Sequence, residues 1–191
     1  MNITIIQGHP DGSRRHLCHA LADAYCKGAR RAGHPIRVID LGNTPFPLLR
    51  TKDEFDHGTM PAELAEAREA IAWADHIVLI FPLWLGEMPA IVKGFLEQVL
   101  RPGFAFEVGT KGWSPKLRGR TARVVVTMGM PAAVYRWFFG AHGLKNLRRN
   151  VLSFVGIRPI RSTLLGLVES VSAKRRSRWL ANLEKLGFAA R

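Results

Sequence analysis

Hydrophobic residues in this chain gather in short unbroken runs, and between the runs they recur at helical spacing. That alternation is expected where strands buried on both faces are joined by amphipathic helices. Residues 2–7 are a β-branched run and predict a buried strand. The turn Gly8-His9-Pro10-Asp11-Gly12-Ser13 follows; then Leu17, Ala20, Leu21, Ala24 and Gly28 mark a helix that Gly33 closes. Residues 35–41 predict a second strand, and 42–59, with two prolines and mixed charge, a loop. A helix is expected over 61–73, with Pro61 in its first turn, and a third strand over 76–81. Pro89 opens a helix whose apolar face is Ile91, Phe95 and Val99. The Gly-rich residues 102–119 read as too polar and broken for regular structure. Residues 123–127 predict a fourth strand, and 132–154 a helix interrupted at Gly140 and Gly143. A fifth strand is expected over 159–167. A last helix, over 172–186, carries Trp179, Leu180, Leu183 and Leu186 on one side and is ended by Gly187.

Five strands alternating with helices imply an α/β fold, a parallel sheet covered on both faces. With 191 residues, no repeats and no low-complexity linker, a single domain over 1–191 is expected. The composition, 47% hydrophobic and 23% charged, is that of a globular chain. No apolar run reaches the ~18 residues of a membrane span. Met1-Asn2-Ile3-Thr4-Ile5-Ile6 lacks the basic start of a signal peptide, so a cytoplasmic location is expected. Cys18 and Cys26, if on one helix, stand ~12 Å apart along its axis, too far for a disulfide. Both are expected to be reduced.

Charge changes the picture. The net charge is +13, of which residues 136–191 carry +10 and residues 1–135 only +3. A basic C-terminal third can attract a phosphorylated cofactor or an anionic membrane, or simply form a solvated basic face. No nucleic-acid-binding motif accompanies it, so no nucleic-acid partner is expected.

In a doubly wound parallel sheet, ligands bind beyond the carboxyl ends of the strands. Three loops there are unusual. After strand one, Gly8 to His16 leads into a helix, where free N–H groups and the helix dipole attract an anion. Ser13 adds a hydroxyl, and Arg14, Arg15 or His16 add charge. After strand three, Phe81-Pro82-Leu83-Trp84-Leu85-Gly86-Glu87-Met88-Pro89 is apolar and aromatic where loops are usually polar. Trp84 and Leu85 either pack into the core or line a cleft for a flat apolar ring. After strand four, Thr127-Met128-Gly129-Met130-Pro131 offers a glycine for close backbone approach, or a plain turn.

Taken together, Ala74-Asp75 before the third strand, Phe81-Pro82-Leu83-Trp84 after it, and Met88-Pro89-Ala90-Ile91-Val92-Lys93-Gly94-Phe95 resemble the flavodoxin-like NAD(P)H:quinone oxidoreductases of the DT-diaphorase type. Gly8-His9-Pro10 matches that family's opening loop, and the resemblance runs to about Gly156. It implies a flavodoxin-like, doubly wound five-stranded parallel sheet in the order 2-1-3-4-5. It also implies a tightly bound FMN or FAD, NAD(P)H as reductant, quinones or similar acceptors, and a homodimer with sites at the subunit boundary. Carried over by position, His9, Ser13, Arg15 and His16 lie near the flavin phosphate. Pro82, Leu83, Trp84 and Leu85 flank the ring edge, and Thr127, Met128, Gly129 and Met130 approach the ring and its pyrimidine end. Tyr135 stands at the spacing of the family's active-site tyrosine, and His142 one residue from that of its partner histidine. The chain departs from the pattern at Arg14-Arg15-His16, where Ser-Phe-Asn is frequent, and at Gly129-Met130, where two glycines are familiar.

These residue types suit the chemistry: Tyr135 and His142 can hydrogen-bond an acceptor oxygen or supply a proton. His142 reads equally as a structural or dimer-contact residue. The cluster Tyr135, Trp137, Phe138 and Phe139 either roofs the flavin cleft or makes the dimer contact. Two other readings stand beside the oxidoreductase. One is a one-electron carrier, against which the positive charge argues. The other is a flavin-binding regulatory partner of a membrane transport system, docked through the basic third at the membrane periphery.

Overall fold

The five apolar runs assemble into one sheet in a computed structural model that describes residues 1–110 and 112–191. Along the chain come β1 (Ile3–Gln7), α1 (Leu17–Arg31), β2 (Ile36–Asp40), α2 (Lys52–His57), α3 (Ala65–Trp73), β3 (His76–Pro82) and α4 (Ala90–Val99). They are followed by β4 (Phe106–Gly109), β5 (Gly112–Pro115), β6 (Thr121–Thr127), α5 (His142–Asn146), β7 (Ile160–Leu165) and α6 (Ala173–Phe188). The main sheet is parallel, in the order β2-β1-β3-β6-β7, which is 2-1-3-4-5 when only its own strands are counted. Ile3 pairs with Ile36 and His76, and β3 and β6 run in register from His76–Thr121 to Pro82–Thr127. All the carboxyl ends therefore emerge along one edge, where Gln7, Pro82 and Thr127 release their loops.

Alternate strand residues feed two cores. Ile6, Leu79, Phe81, Val124 and Val126 pack with Ile71 of α3, Phe95 and Val99 of α4 and Leu144 of α5. Ile3, Ile5, Val78, Ile80 and Val125 pack with Leu21 and Tyr25 of α1 and Leu183 of α6. Cys18 and Cys26 are both free and buried in this second core.

Gly187 does not end the last helix. It lies inside α6, where a Cβ would come 2.9 Å from the Tyr25 carbonyl carbon, while a Cβ at Gly28 would come 2.7 Å from that of Glu184. The two glycines let α1 and α6 touch backbone to backbone, a use of glycine that looks identical in sequence to a helix stop. The region 42–59 is not all loop: Thr51 accepts a hydrogen bond from Glu54 N (3.1 Å) and, with Asp53 and Glu54 in the first turn, caps the short α2. Within 102–119, β4 and β5 form an antiparallel hairpin, with Gly112 at φ +92° beside the turn and Trp113 stacked on Phe154. The interrupted helix over 132–154 resolves into a π-helical turn Val134–Phe138, a left-handed break at Gly140 and Ala141, the short α5, and a second π-helical stretch Leu147–Leu152.

Candidate active site

The loop after β1 is held at both ends by close packing. Gly8 N donates to Ile80 O (2.7 Å), and a Cβ on Gly8 would lie 2.7 Å from Val92 Cγ2. A Cβ on Gly12 would lie 2.6 Å from Gly42 O, so the loop leans on the turn after β2. Gln7 Oε1 accepts from His9 N at 2.5 Å. The His19 ring sits between the Gln7 side-chain amide (2.7 Å) and His16 N (3.1 Å). His9 stacks on His16 with ring centroids 3.7 Å apart. Burial, above all, pushes the pKa values of His9 and His19 below the ordinary histidine value.

The donors of this loop converge on an anion. Asp11 Oδ1 accepts from Ser13 N (2.9 Å) and Ser13 Oγ (2.5 Å), His16 Nε2 lies 2.7 Å from Oδ2, and Arg14 Nε lies 3.5 Å away. Ser13, then His16, hold the Asp11 carboxyl well below the usual carboxylate range. His16 is also the N-cap of α1, so the amino end of that helix and its dipole lie beside this loop. Arg15 is turned away, paired with Asp23 on α1.

After β3 the chain makes a two-residue hairpin turn. Trp84 N donates to Glu87 O and Glu87 N to Trp84 O, each at 2.9 Å, with Leu85 at φ +48° and Gly86 at φ +82°. Left-handed backbone at both central positions is type I′ geometry, which disfavours a leucine by roughly 1–2 kcal/mol. Leu85 is nonetheless fully exposed and Trp84 half-exposed, so neither is held by core packing. Pro82 and Leu83 are partly buried at the root of the turn, and Leu83 N donates to Thr127 O (2.7 Å).

In the loop after β6, the side chains of Thr127 and Met128 are buried, and Thr127 Oγ1 lies 3.4 Å from Cys18 Sγ. Gly129 is exposed and Met130 partly buried. A cavity of about 490 Å³ opens beside them, lined by Leu85, Glu87, Met130, Tyr135, Phe139 and His142. Tyr135 is buried; its hydroxyl accepts from Leu144 N (3.2 Å) and donates to Gly86 O (3.4 Å). Burial raises its pKa. The amino end of α5 comes this close to the hairpin turn because residue 143 is glycine: a Cβ there would lie 2.8 Å from Glu87 Cδ and closer still to Gly86 O.

A loop gathering anion donors, an aromatic turn and a cavity holding Glu87 and His142 each lie beyond a strand's carboxyl end, on the switch side of the sheet. A model of flavodoxin-like folds matches residues 1–186. The chain belongs to the flavodoxin-like family.

Two curated relatives cover nearly all of this flavodoxin-like chain. An NAD(P)H oxidoreductase of Haemophilus influenzae is 27% identical over 180 residues, 92% of this chain and 89% of its own length. An FMN-dependent NADH:quinone oxidoreductase of Nitratidesulfovibrio vulgaris is 29% identical over 199 residues, 91% and 92% of the two chains. Among solved structures, the NAD(P)H:quinone oxidoreductase of Methanothermobacter marburgensis superposes with a TM-score of 0.80 at 22% identity, covering 98% of this chain and 96% of its own. At that identity the likeness speaks for the fold.

Of the residues singled out from sequence, the flavodoxin-like fold brings His9, Ser13 and His16 together in the first loop. It brings Leu85, Met130, Tyr135 and His142 together around the cavity. Arg14, rather than Arg15, joins the first group. Sequence reasoning passed over Glu87, whose carboxylate shares the cavity with His142. Its signal was present: it is the one acidic residue in the apolar stretch 76–92.

Proposed function

We propose that this protein is a flavin-dependent NAD(P)H oxidoreductase that reduces quinones or similar acceptors by two electrons. The observation that carries the reading is the convergence of three loops at one edge of the sheet. The first carries a backbone N–H, a hydroxyl, an imidazole and a guanidinium, the donor set a phosphate monoester requires, here turned onto the Asp11 carboxylate, which must swing aside for them to meet a phosphate. The residues present therefore fit a flavin phosphate. Ser13, Arg14 and His16 would hold it, with His9 packed behind His16. Trp84, Leu85, Gly129 and Met130 would contact the ring, which when bound supplies the hydride chemistry. His142 and Glu87 face the space for the acceptor and can hold or deliver its proton, and Tyr135 orients them by tying the hairpin turn to α5.

FMN is the flavin favoured, since the N. vulgaris relative is FMN-dependent and the donors gathered here suit one phosphate. The exposed Trp137 (76%) and Phe138 (81%), continuous in sequence with the cavity residue Phe139, support a homodimer that covers them. Free, buried cysteines and the lack, among the described residues, of a helix able to cross a membrane support a cytoplasmic location. The test is the visible spectrum of the purified protein, mass identification of any released cofactor, and steady-state NAD(P)H oxidation with a quinone. A protein that neither carries nor accepts FMN or FAD refutes the reading, as does a flavin-loaded protein without turnover.

A further inference from the structure

The anion donors of the loop after β1 are already satisfied by the chain itself. Asp11 Oδ1 takes Ser13 N and Ser13 Oγ, and Oδ2 lies 2.7 Å from His16 Nε2 and 3.5 Å from Arg14 Nε. A monoanion thus sits on the four groups that a phosphate would need. The other carboxylates around the loop are committed elsewhere. Asp23 pairs with Arg15, and Asp40 accepts from Gln7 Nε2 (3.1 Å), Gly42 N (3.3 Å) and Asn43 Nδ2 (2.8 Å). Asp11 alone, among the described residues, covers this donor set.

Its carboxylate can leave without the loop. The backbone at residue 11 is anchored independently of the side chain: Asp11 N donates to His9 Nδ1 (3.2 Å), and His9 N donates to Gln7 Oε1. On the other side Gly12 packs on the turn after β2, where a Cβ would lie 2.6 Å from Gly42 O. The Asp11 side chain is 38% exposed, so rotation about its Cα–Cβ bond carries it into water and not into the core. A phosphate monoester, with about −1.5 to −2 charge near neutral pH, must displace this carboxylate and then stands close to a like charge. Both effects weaken the hold on the phosphate, and neither touches the flavin ring.

We propose that Asp11 is an affinity-setting residue, an internal competitor that occupies the phosphate donors of the flavin-free loop and keeps bound FMN exchangeable. The proposal rests on the flavin reading for its ligand, but the competition is measurable on phosphate alone. Asp11→Asn is the discriminating variant, because its amide oxygen can still accept from Ser13 N and Ser13 Oγ while the charge is gone. Asp56→Asn carries the same charge change on α2, which Arg101 holds by the Glu54 carbonyl beyond the far end of α4. The flavin-free full chain is titrated with FMN and with riboflavin, which lacks the phosphate, and binding is read by flavin fluorescence. Asp11→Asn should bind FMN about tenfold more tightly, the effect of one partly screened charge at close range, and bind riboflavin as the wild type does. The gain for FMN should shrink at high ionic strength, and Asp56→Asn should change neither affinity. Unchanged or weaker FMN binding overturns the proposal, as does an equal gain for riboflavin or an equal gain in Asp56→Asn. If Asp11→Asn does not fold, Asp11→Ser, whose hydroxyl can also hold the turn, is measured in its place. Inorganic phosphate, followed on the His16 ring by NMR, separates the two readings. A gain of about tenfold there in Asp11→Asn, with no flavin bound to any variant, leaves the competition standing and removes the flavin reading. Phosphate that reaches the loop in neither protein overturns the competition.

Discussion

The contact between Gly143 and the Gly86–Glu87 turn gives a sharp separation of activity from stability. In Gly143→Ala the added Cβ lies 2.8 Å from Glu87 Cδ, where ordinary contacts begin at 3.4 Å, and nearer still to the Gly86 carbonyl oxygen. The turn and the amino end of α5 must therefore separate by more than half an ångström. The hydrogen bond from Tyr135 to Gly86 O, already 3.4 Å, does not survive that shift. Overpacking of this kind costs roughly 1–3 kcal/mol, and replacing glycine by alanine inside a helix returns about 1. The net loss is about 1 kcal/mol, a fall of roughly 2–4 °C in melting temperature for a chain of this size. The displaced groups are Glu87 and Leu85 on one wall of the cavity and His142 on the other. A misplacement approaching 1 Å there lowers catalytic efficiency by about 100-fold. The assay pairs thermal melts with NAD(P)H-dependent quinone reduction at fixed flavin occupancy. A variant that keeps kcat/KM within about twofold of wild type refutes the placement of this junction in the active site. One that simply unfolds refutes the strain estimate.

Tyr135→Phe leaves the buried Leu144 N–H without its acceptor and should destabilise by about 1–3 kcal/mol, read as a lower urea midpoint. An unchanged midpoint would mean that the hydroxyl does not tie the two segments. Gly28→Ala and Gly187→Ala each force a Cβ into the backbone of the opposite helix; both should lower the melting temperature far more than Gly33→Ala, whose Cβ meets open space but a φ of +74°. His76 is buried with its Nδ1 2.6 Å from Thr121 Oγ1; burial, then Arg123 and Arg161, pushes its pKa down to about 4. Its folded-state pKa lies below the unfolded value of 6.5, so the stability it contributes is complete above pH 6.5 and drains away as pH falls toward 4. The loss is of order 3 kcal/mol, and His76→Gln should flatten that limb of the stability–pH curve in denaturant titrations.

The sheet was legible because strands buried on both faces have no polar alternation to mask them: Ile77 to Phe81 and Val124 to Val126 announce themselves by continuous apolar character. The hairpin of β4 and β5 escaped notice for the opposite reason. Val108 and Trp113 are largely exposed, and only Phe106 and Pro115 are buried, so no periodic face exists to read. Gly187 reads as a helix stop in sequence because helix termination and helix–helix contact draw on the same missing Cβ. In the candidate site, sequence position points to loops, but side-chain direction decides which residues meet. Arg14 and Arg15 are neighbours, yet one meets Asp11 and the other leaves for Asp23. Thr127 turns its hydroxyl toward Cys18, whereas Tyr135 lines the cavity and ties the hairpin turn to α5.

Leu85 sets fitness and folding against each other at a single position. Its backbone favours glycine or asparagine, and its side chain gains nothing from the folded chain around it. A library screened for heat resistance alone should therefore drift toward Leu85→Gly, because every clone making that change becomes easier to fold. On the proposed function, the same library screened for turnover should hold the leucine as an apolar wall beside the flavin ring. The two selections diverging at residue 85, and not at buried neighbours such as Met88, would mark this turn as a place where the protein accepts local strain in return for chemistry.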